Sequence, residues 1–205
     1  MTEDLARLAD FANRLRRFLW TTSQANSFFA FGMVLTAYWL IGISLGLEDV
    51  QFLYWALGMI PAIALCVASI YAAMPKRAAA KPLSMEGARW IASFALPFAS
   101  LYMAYVLLIE RVSPAMLSIL WYPALGIALL LAHFLLERPW MARGLMVAKP
   151  FLVSSLLALA GCPVVVYAAL TRGALAASLL SLGLMLLSYY VAGIYALIKA
   201  SRLFS

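Results

Sequence analysis

The chain has 205 residues, 66% of them hydrophobic and 11% charged, with a formal net charge of +7 and a mean hydropathy of +0.97. Soluble domains average about 45–50% apolar and about 25% charged residues. Too few polar groups are present to cover a water-facing surface, so composition places the chain in lipid. The positive balance then speaks of membrane orientation and membrane lipids. A nucleic-acid partner is not expected, because no soluble portion remains to present a basic groove.

The opening residues, "MTEDLARLAD", lack the basic start, short apolar core and small-residue cleavage site of a signal peptide, so the N-terminus is expected to be retained. Residues 1–27 predict an amphipathic helix. Leu5, Leu8, Ala12, Leu15 and Leu19 recur at helical spacing, with Phe11 and Phe18 beside them, while Glu3, Asp4, Arg7, Asp10, Arg14 and Arg17 fill the other face. Acids lead and arginines follow, which suits the helix dipole. Such a helix ahead of a first span has two uses. It lies in the membrane surface as an interfacial helix, or it docks a protein partner through Leu5, Leu8 and Leu15.

A spanning helix needs about 20 mostly apolar residues. Six such runs follow, at about 28–47, 51–74, 88–110, 114–136, 149–170 and 174–198, none with Asp, Glu, Lys or Arg away from its ends. The links "LEDVQ", "ERVSP" and "TRGA" are short. Short links force antiparallel neighbours. The expected fold is therefore all-α: six transmembrane helices as three antiparallel hairpins over 28–205, preceded by the surface helix. In "VSPAM", Ser113 reads as an N-cap and Pro114 as the first helical residue.

Lys and Arg set orientation. Thirteen lie before span 1, after spans 2 and 4, and in the tail; only Arg111 and Arg172 lie opposite. Both termini are expected in the cytoplasm, with the protein in the cell membrane. Trp20, Trp90 and Trp140 fall near the basic level and Trp39, Trp55 and Trp121 near the other, the interfacial placement indoles favour.

The hairpins suggest a repeat with units 28–87, 88–148 and 149–205. "SIYAAMPKR" (69–77) and "GIYALIKAS" (193–201) match as small-Ile-Tyr-Ala, and Tyr71, His133 and Tyr195 are spaced 62 and 62 residues apart. Three tight hairpins crossing one bilayer also give a period near 60 without any triplication. The single histidine, His133, thus occupies an interfacial slot that tyrosine fills elsewhere, which predicts that tyrosine is tolerated at 133. Glu137 lies four residues on, on the same helix face, where the two can pair. A proton-handling role is the alternative, since imidazole titrates near neutral pH. Metal ligation lacks a second histidine and ligand-spaced cysteines.

Pro61, Pro97, Pro123 and Pro163 fall inside spans. Each removes a backbone hydrogen bond, so they are candidate kinks, either re-satisfied by neighbouring helices or bounding a cavity. Gly42-x-x-x-Gly46 is a candidate tight helix contact. Cys66 and Cys162 read as small apolar residues.

The chain has no paired histidines for haem, no thiol pair, no clustered aspartates and no phosphate loop. Ser93, Ser100, Ser154, Ser155, Ser178, Ser181 and Ser188 are nucleophiles by type only. No catalytic, cofactor or metal site is expected. The expected function is that of a non-enzymatic membrane protein, a permease-like or structural subunit of a larger complex without its own ATPase. The alternative is an enzyme acting on lipid near the cytoplasmic face.

Overall fold

A computed structural model describes residues 2–44, 85–108 and 110–205. The expected second span at 51–74, with Pro61 and Tyr71, lies outside the described residues, as does Gly46. Among the described residues the chain is all-helical with no strand, and five helices are long and apolar enough to cross a membrane. These are α1 (Thr2–Ser44), α2 (Met85–Leu108), a broken crossing, α6 (Pro150–Arg172) and α7 (Ala174–Ser201). The broken crossing comprises α3 (Pro114–Ile119), α4 (Trp121–Ala132), a π-turn (His133–Glu137) and α5 (Arg138–Ala142).

No break in the backbone marks the expected passage from surface helix to first span. Residues 2–44 form one helix of 43 residues, roughly 64 Å long at 1.5 Å per residue, about twice the hydrocarbon thickness of a bilayer. Nothing in the sequence breaks it: no glycine or proline occurs before Gly32. Ser27 returns its hydroxyl to the Ser23 carbonyl at 2.9 Å and stays within the helix. Every residue from 3 to 17 is exposed, and burial begins near Thr21.

Neighbours in space run α1, α7, α6, α4, α2. Gly173 (φ +86) turns the chain after α6 so that α7 packs back along it. Glycine tolerates this left-handed conformation without a Cβ clash. Small residues let the helices approach. A Cβ at Gly193 on α7 would come within 2.6 Å of the Phe29 ring on α1, and one at Gly126 on α4 within 2.8 Å of Leu159 on α6. Phe28 of α1 sits edge-on to Tyr189 of α7 and Phe151 of α6, with ring centroids 5.5 and 5.0 Å away.

Ser113 caps α3, its hydroxyl accepting the Met116 N–H at 3.4 Å, with Pro114 at the helix start. The crossing breaks at Leu120, three residues before Pro123, where Leu120 N–H reaches Leu117 O at 3.3 Å, a tight i→i+3 bond. Proline cannot donate to the carbonyl four residues back, here that of Ile119. α2 and α6 continue through Pro97 and Pro163. Gly42 is buried on α1.

Because the α1–α7 contact rests on Gly193, Gly193→Leu should destabilise the bundle by about 1–3 kcal/mol through overpacking. Gly183, with nothing within 4 Å of an added Cβ, should accept alanine without loss. Thermal unfolding of the purified chain in detergent reads both.

Candidate functional site

The most strongly engaged polar groups in the described residues meet where the broken crossing ends and α6 begins. Pro139 shapes the first half. It has no N–H for the Leu135 carbonyl, and its ring would press on that oxygen. The helix widens ahead of it: residues 133–137 form a π-turn, in which Arg138 N–H donates to His133 O five residues back. Such one-turn bulges often place a functional side chain. Here Glu137 becomes fully buried, at 0% exposure.

Pro150 shapes the second half. It starts α6 without an N–H of its own, and Val153 N–H is satisfied by Lys149 O at 3.1 Å. The two remaining first-turn donors are Phe151 and Leu152. Both go to Glu137: Phe151 N–H to Oε1 at 2.8 Å and Leu152 N–H to Oε2 at 3.3 Å. Lys149, at the N-cap position, makes no side-chain capping bond. Glu137 therefore caps α6 from another helix. Its charge sits at the positive end of the α6 dipole.

His133 completes the arrangement. Its Nδ1 lies 2.5 Å from Glu137 Oε2. When Glu137 is ionised it only accepts, and the Nδ1–H of the ring then donates to it. The imidazole is buried, with 8% of the residue exposed, and stands edge-on to Phe134 at 5.1 Å. The structure thus brings His133 and Glu137 together. Tyr195, on α7, packs instead against Ala25, Ala148 and Ala196. Tyr71 lies outside the described residues, so the three-residue slot is represented here by two dissimilar environments.

The turn 143–149 closes over this cap. Gly144 adopts φ +66, and its carbonyl accepts Arg17 Nε–H from α1 at 3.0 Å. Thr21 Oγ1, also on α1, accepts the Val147 N–H at 3.4 Å. Arg143 pairs with Glu86 of α2 at 2.5 Å. Leu145, Met146 and Ala148 are buried beneath, and Trp140 packs on Trp20 at 5.8 Å. These partners are not visible in the sequence. One signal does point to them: "AKPF" opens a helix without Ser, Thr, Asp or Asn before the proline, so its cap must come from elsewhere.

Deeper in the bundle, hydroxyls tie helices together. Ser155 donates to the Gly126 carbonyl of α4 at 3.0 Å, and Ser154 meets Ser188 of α7 at 3.2 Å. Ser93, Ser100 and Ser181 donate to carbonyls of their own helices. An apolar cavity of about 50 Å³ lies beside Tyr122, Pro123 and Cys162, where the buried Tyr122 hydroxyl has no partner. No group of three or more metal-ligating side chains occurs among the described residues.

The chain matches no protein-family model, no curated protein and no solved structure.

The geometry alters one expectation from the sequence. Tyrosine at 133 would leave Glu137 without the imidazole N–H, so His133→Tyr should lower stability by about 1–3 kcal/mol, the cost of an unmatched buried group. Glu137→Ala should cost more, about 3–5 kcal/mol, because it strands the imidazole and two backbone N–H groups together. Thermal unfolding gives the order. Hydrogen exchange at Phe151 and Leu152 locates it: both amides should lose protection in Glu137→Ala while those of mid-α7 keep theirs.

Proposed function

We propose that the chain is a non-enzymatic integral membrane protein of the cell membrane, a permease-like or structural transmembrane subunit of a larger complex, with both termini in the cytoplasm. The observation that carries this reading is the engagement of the His133–Glu137 pair. The one histidine and the fully buried carboxylate face each other and a helix end. Both carboxylate oxygens accept N–H groups. A general base needs a lone pair directed at a substrate proton; this carboxylate directs its lone pairs at the backbone. The serines of the core are likewise bonded to carbonyls or to each other.

Orientation rests on charge. Arg17, Arg138, Arg143, Lys149, Lys199 and Arg202 gather at the end that holds the cap, and Arg111 and Arg172 at the other. The positive-inside rule puts the first end in the cytoplasm. A sixth crossing at 51–74 completes three hairpins and returns the chain to that side before α2.

Single cysteines at Thr2 and Ser205, with Cys66 and Cys162 replaced by serine, test the orientation. Neither should react with an impermeant thiol reagent until intact cells are opened; labelling from outside reverses the assignment. The functional class is tested by removing the chain. Native particles extracted in mild detergent should contain a second polypeptide, and the lipid profile of the membrane should stay unchanged. A lipid species that disappears with the chain and returns only with wild-type chain would establish an enzyme instead.

A further inference from the structure

We propose that Lys149, Lys199 and Arg202 together hold the phosphate of an anionic phospholipid at the basic end of α6 and α7. The site rests on the reading of the chain as a membrane protein and adds to it a lipid of stated charge.

The fold gathers these bases from two helix ends. Ser154 of α6 meets Ser188 of α7 at 3.2 Å, and Gly173 turns the chain between them, so the two helices run antiparallel. Five residues back from Ser154 is Lys149, level with Gly193, five residues on from Ser188. Tyr195 and Arg202 follow Ser188 at steps of seven and continue its α6-facing stripe, and Lys199 lies between them, one turn past Tyr195. The stripe thus runs on past the start of α6, where Lys149 stands. Packing agrees with this level: Ala148 and Ala196 share a buried cluster with Ala25 of α1, and Tyr195 packs against it. Lys149 and Arg202 are exposed and Lys199 is half-buried. Counted from Gly193, Lys199 and Arg202 lie about 9 and 14 Å along the axis, so the three long side chains can close on one headgroup.

Local preference accounts for only two of the three. Lys199 and Arg202 stand at the C-terminal end of α7, where the dipole favours cations. Lys149 stands at the N-terminal end of α6, where the dipole disfavours one, and beside two further cations. Glu137 offsets the helix end, but it is buried, and its oxygens are engaged by His133, Phe151 and Leu152.

The other carboxylates of the chain lie elsewhere. Glu86 pairs with Arg143, and Glu3 and Asp10 pair with Arg7 and Arg14 on the arm, with Asp4 beside them. Glu110 follows α2 at the opposite end. Residues 45–84 contain Lys76, Arg77 and Lys81, and their only acids are Glu48 and Asp49. These follow Ser44 by four and five residues, a reach of at most about 18 Å. Thr21, which meets the turn before α6, lies about 35 Å back along α1. The counter-charge therefore comes from outside the chain.

Position selects a lipid. The three bases stand at the ends of two helices read as crossings, the level at which phospholipid phosphates lie. An anionic leaflet presents a dense array of phosphates there, and each Lys or Arg that meets it raises affinity about fivefold. A phosphatidylcholine phosphate is already balanced by its own choline cation.

The full-length chain in neutral detergent gives the test. Dioleoyl phosphatidylglycerol and dioleoyl phosphatidylcholine are probes with equal acyl chains, and native mass spectrometry reads the lipid bound. Phosphatidylglycerol should bind at least about tenfold more tightly. Lys149→Gln, Lys199→Gln and Arg202→Gln should each weaken it about fivefold and leave phosphatidylcholine unchanged. Arg16→Gln removes the same charge from the far side of α1, two residues from Phe18, whose ring meets Phe204. It should alter binding less than about twofold. Unchanged thermal midpoints without lipid show that these variants fold. Equal affinity for the two lipids overturns the proposal and leaves the bases to a partner of another kind. An Arg16→Gln effect as large as that of Lys149→Gln also overturns it, since attraction would then be diffuse. So does displacement of phosphatidylglycerol by an equal concentration of inorganic phosphate, the mark of a soluble-anion site. Orientation does not enter these affinities: reversed termini in cells would move the site to the other leaflet and leave every value as it is.

Discussion

A helix that begins with proline presents a fixed problem at its first turn. Proline removes one donor, and the next N–H groups point out of the helix end with no partner of their own. In α6 that end is buried: Pro150 and Phe151 are almost fully covered, so water does not satisfy it. The Glu137 carboxylate does, through both oxygens, and the His133 ring balances it. A carboxylate withdrawn from water without partners would be disfavoured by several kcal/mol. Three charge-assisted bonds, each contributing about 1.5–3 kcal/mol, offset that. The broken crossing and α6 are thereby joined through side chain and backbone as well as through the chain itself.

Other contacts depend on this junction. With α6 held against Glu137, the turn 143–149 is short of room and tucks inward, burying Leu145, Met146 and Ala148. Its carbonyl and N–H groups then reach α1, at Arg17 and Thr21, and its arginine reaches Glu86 of α2. Two elements distant in sequence, α1 and α2, thus meet this turn at the end of the bundle that holds the cap. At mid-depth the bond from Ser155 to Gly126 repeats the tie between α4 and α6, possible because Gly126 lacks the side chain that would hold the two backbones apart.

The sequence discloses what depends on local pattern. Composition matches the long apolar helices of a chain compatible with a membrane, apolar runs locate the later helices to within a few residues, and "VSPAM" names its own cap. Proline at 123 announces the break that appears at Leu120. Two features are hidden for physical reasons. Charges up to Arg17 and the polar run "TTSQANS" (21–27) delay the apolar run to residue 28, but no glycine or proline interrupts the helix, so polarity changes there while backbone conformation does not. The cap on α6 is a tertiary contact across a widened turn, between Glu137 and N–H groups of residues 151 and 152, and no i,i+3 or i,i+4 pattern encodes it. The spacing of His133 and Glu137 does place their side chains together. It says nothing of the backbone on the other side of the carboxylate.

The position before Pro150 shows why the cap comes from so far away. A local N-cap would put Ser, Thr, Asp or Asn at 149, where its side chain could accept the Phe151 or Leu152 N–H. The chain has lysine there, exposed at the basic end of the bundle. One side chain cannot both accept from a helix end and present a positive charge at the surface. Lysine at that position also opposes the α6 dipole, whose positive end it adjoins. Glu137 resolves both conflicts at once. It supplies the acceptors that lysine lacks, and its negative charge lies closer to the helix end than the lysine ammonium, which extends toward water. The buried acid and the exposed base are therefore one arrangement: a lysine can stand exposed before Pro150 with α6 stable because the broken helix before it carries the cap.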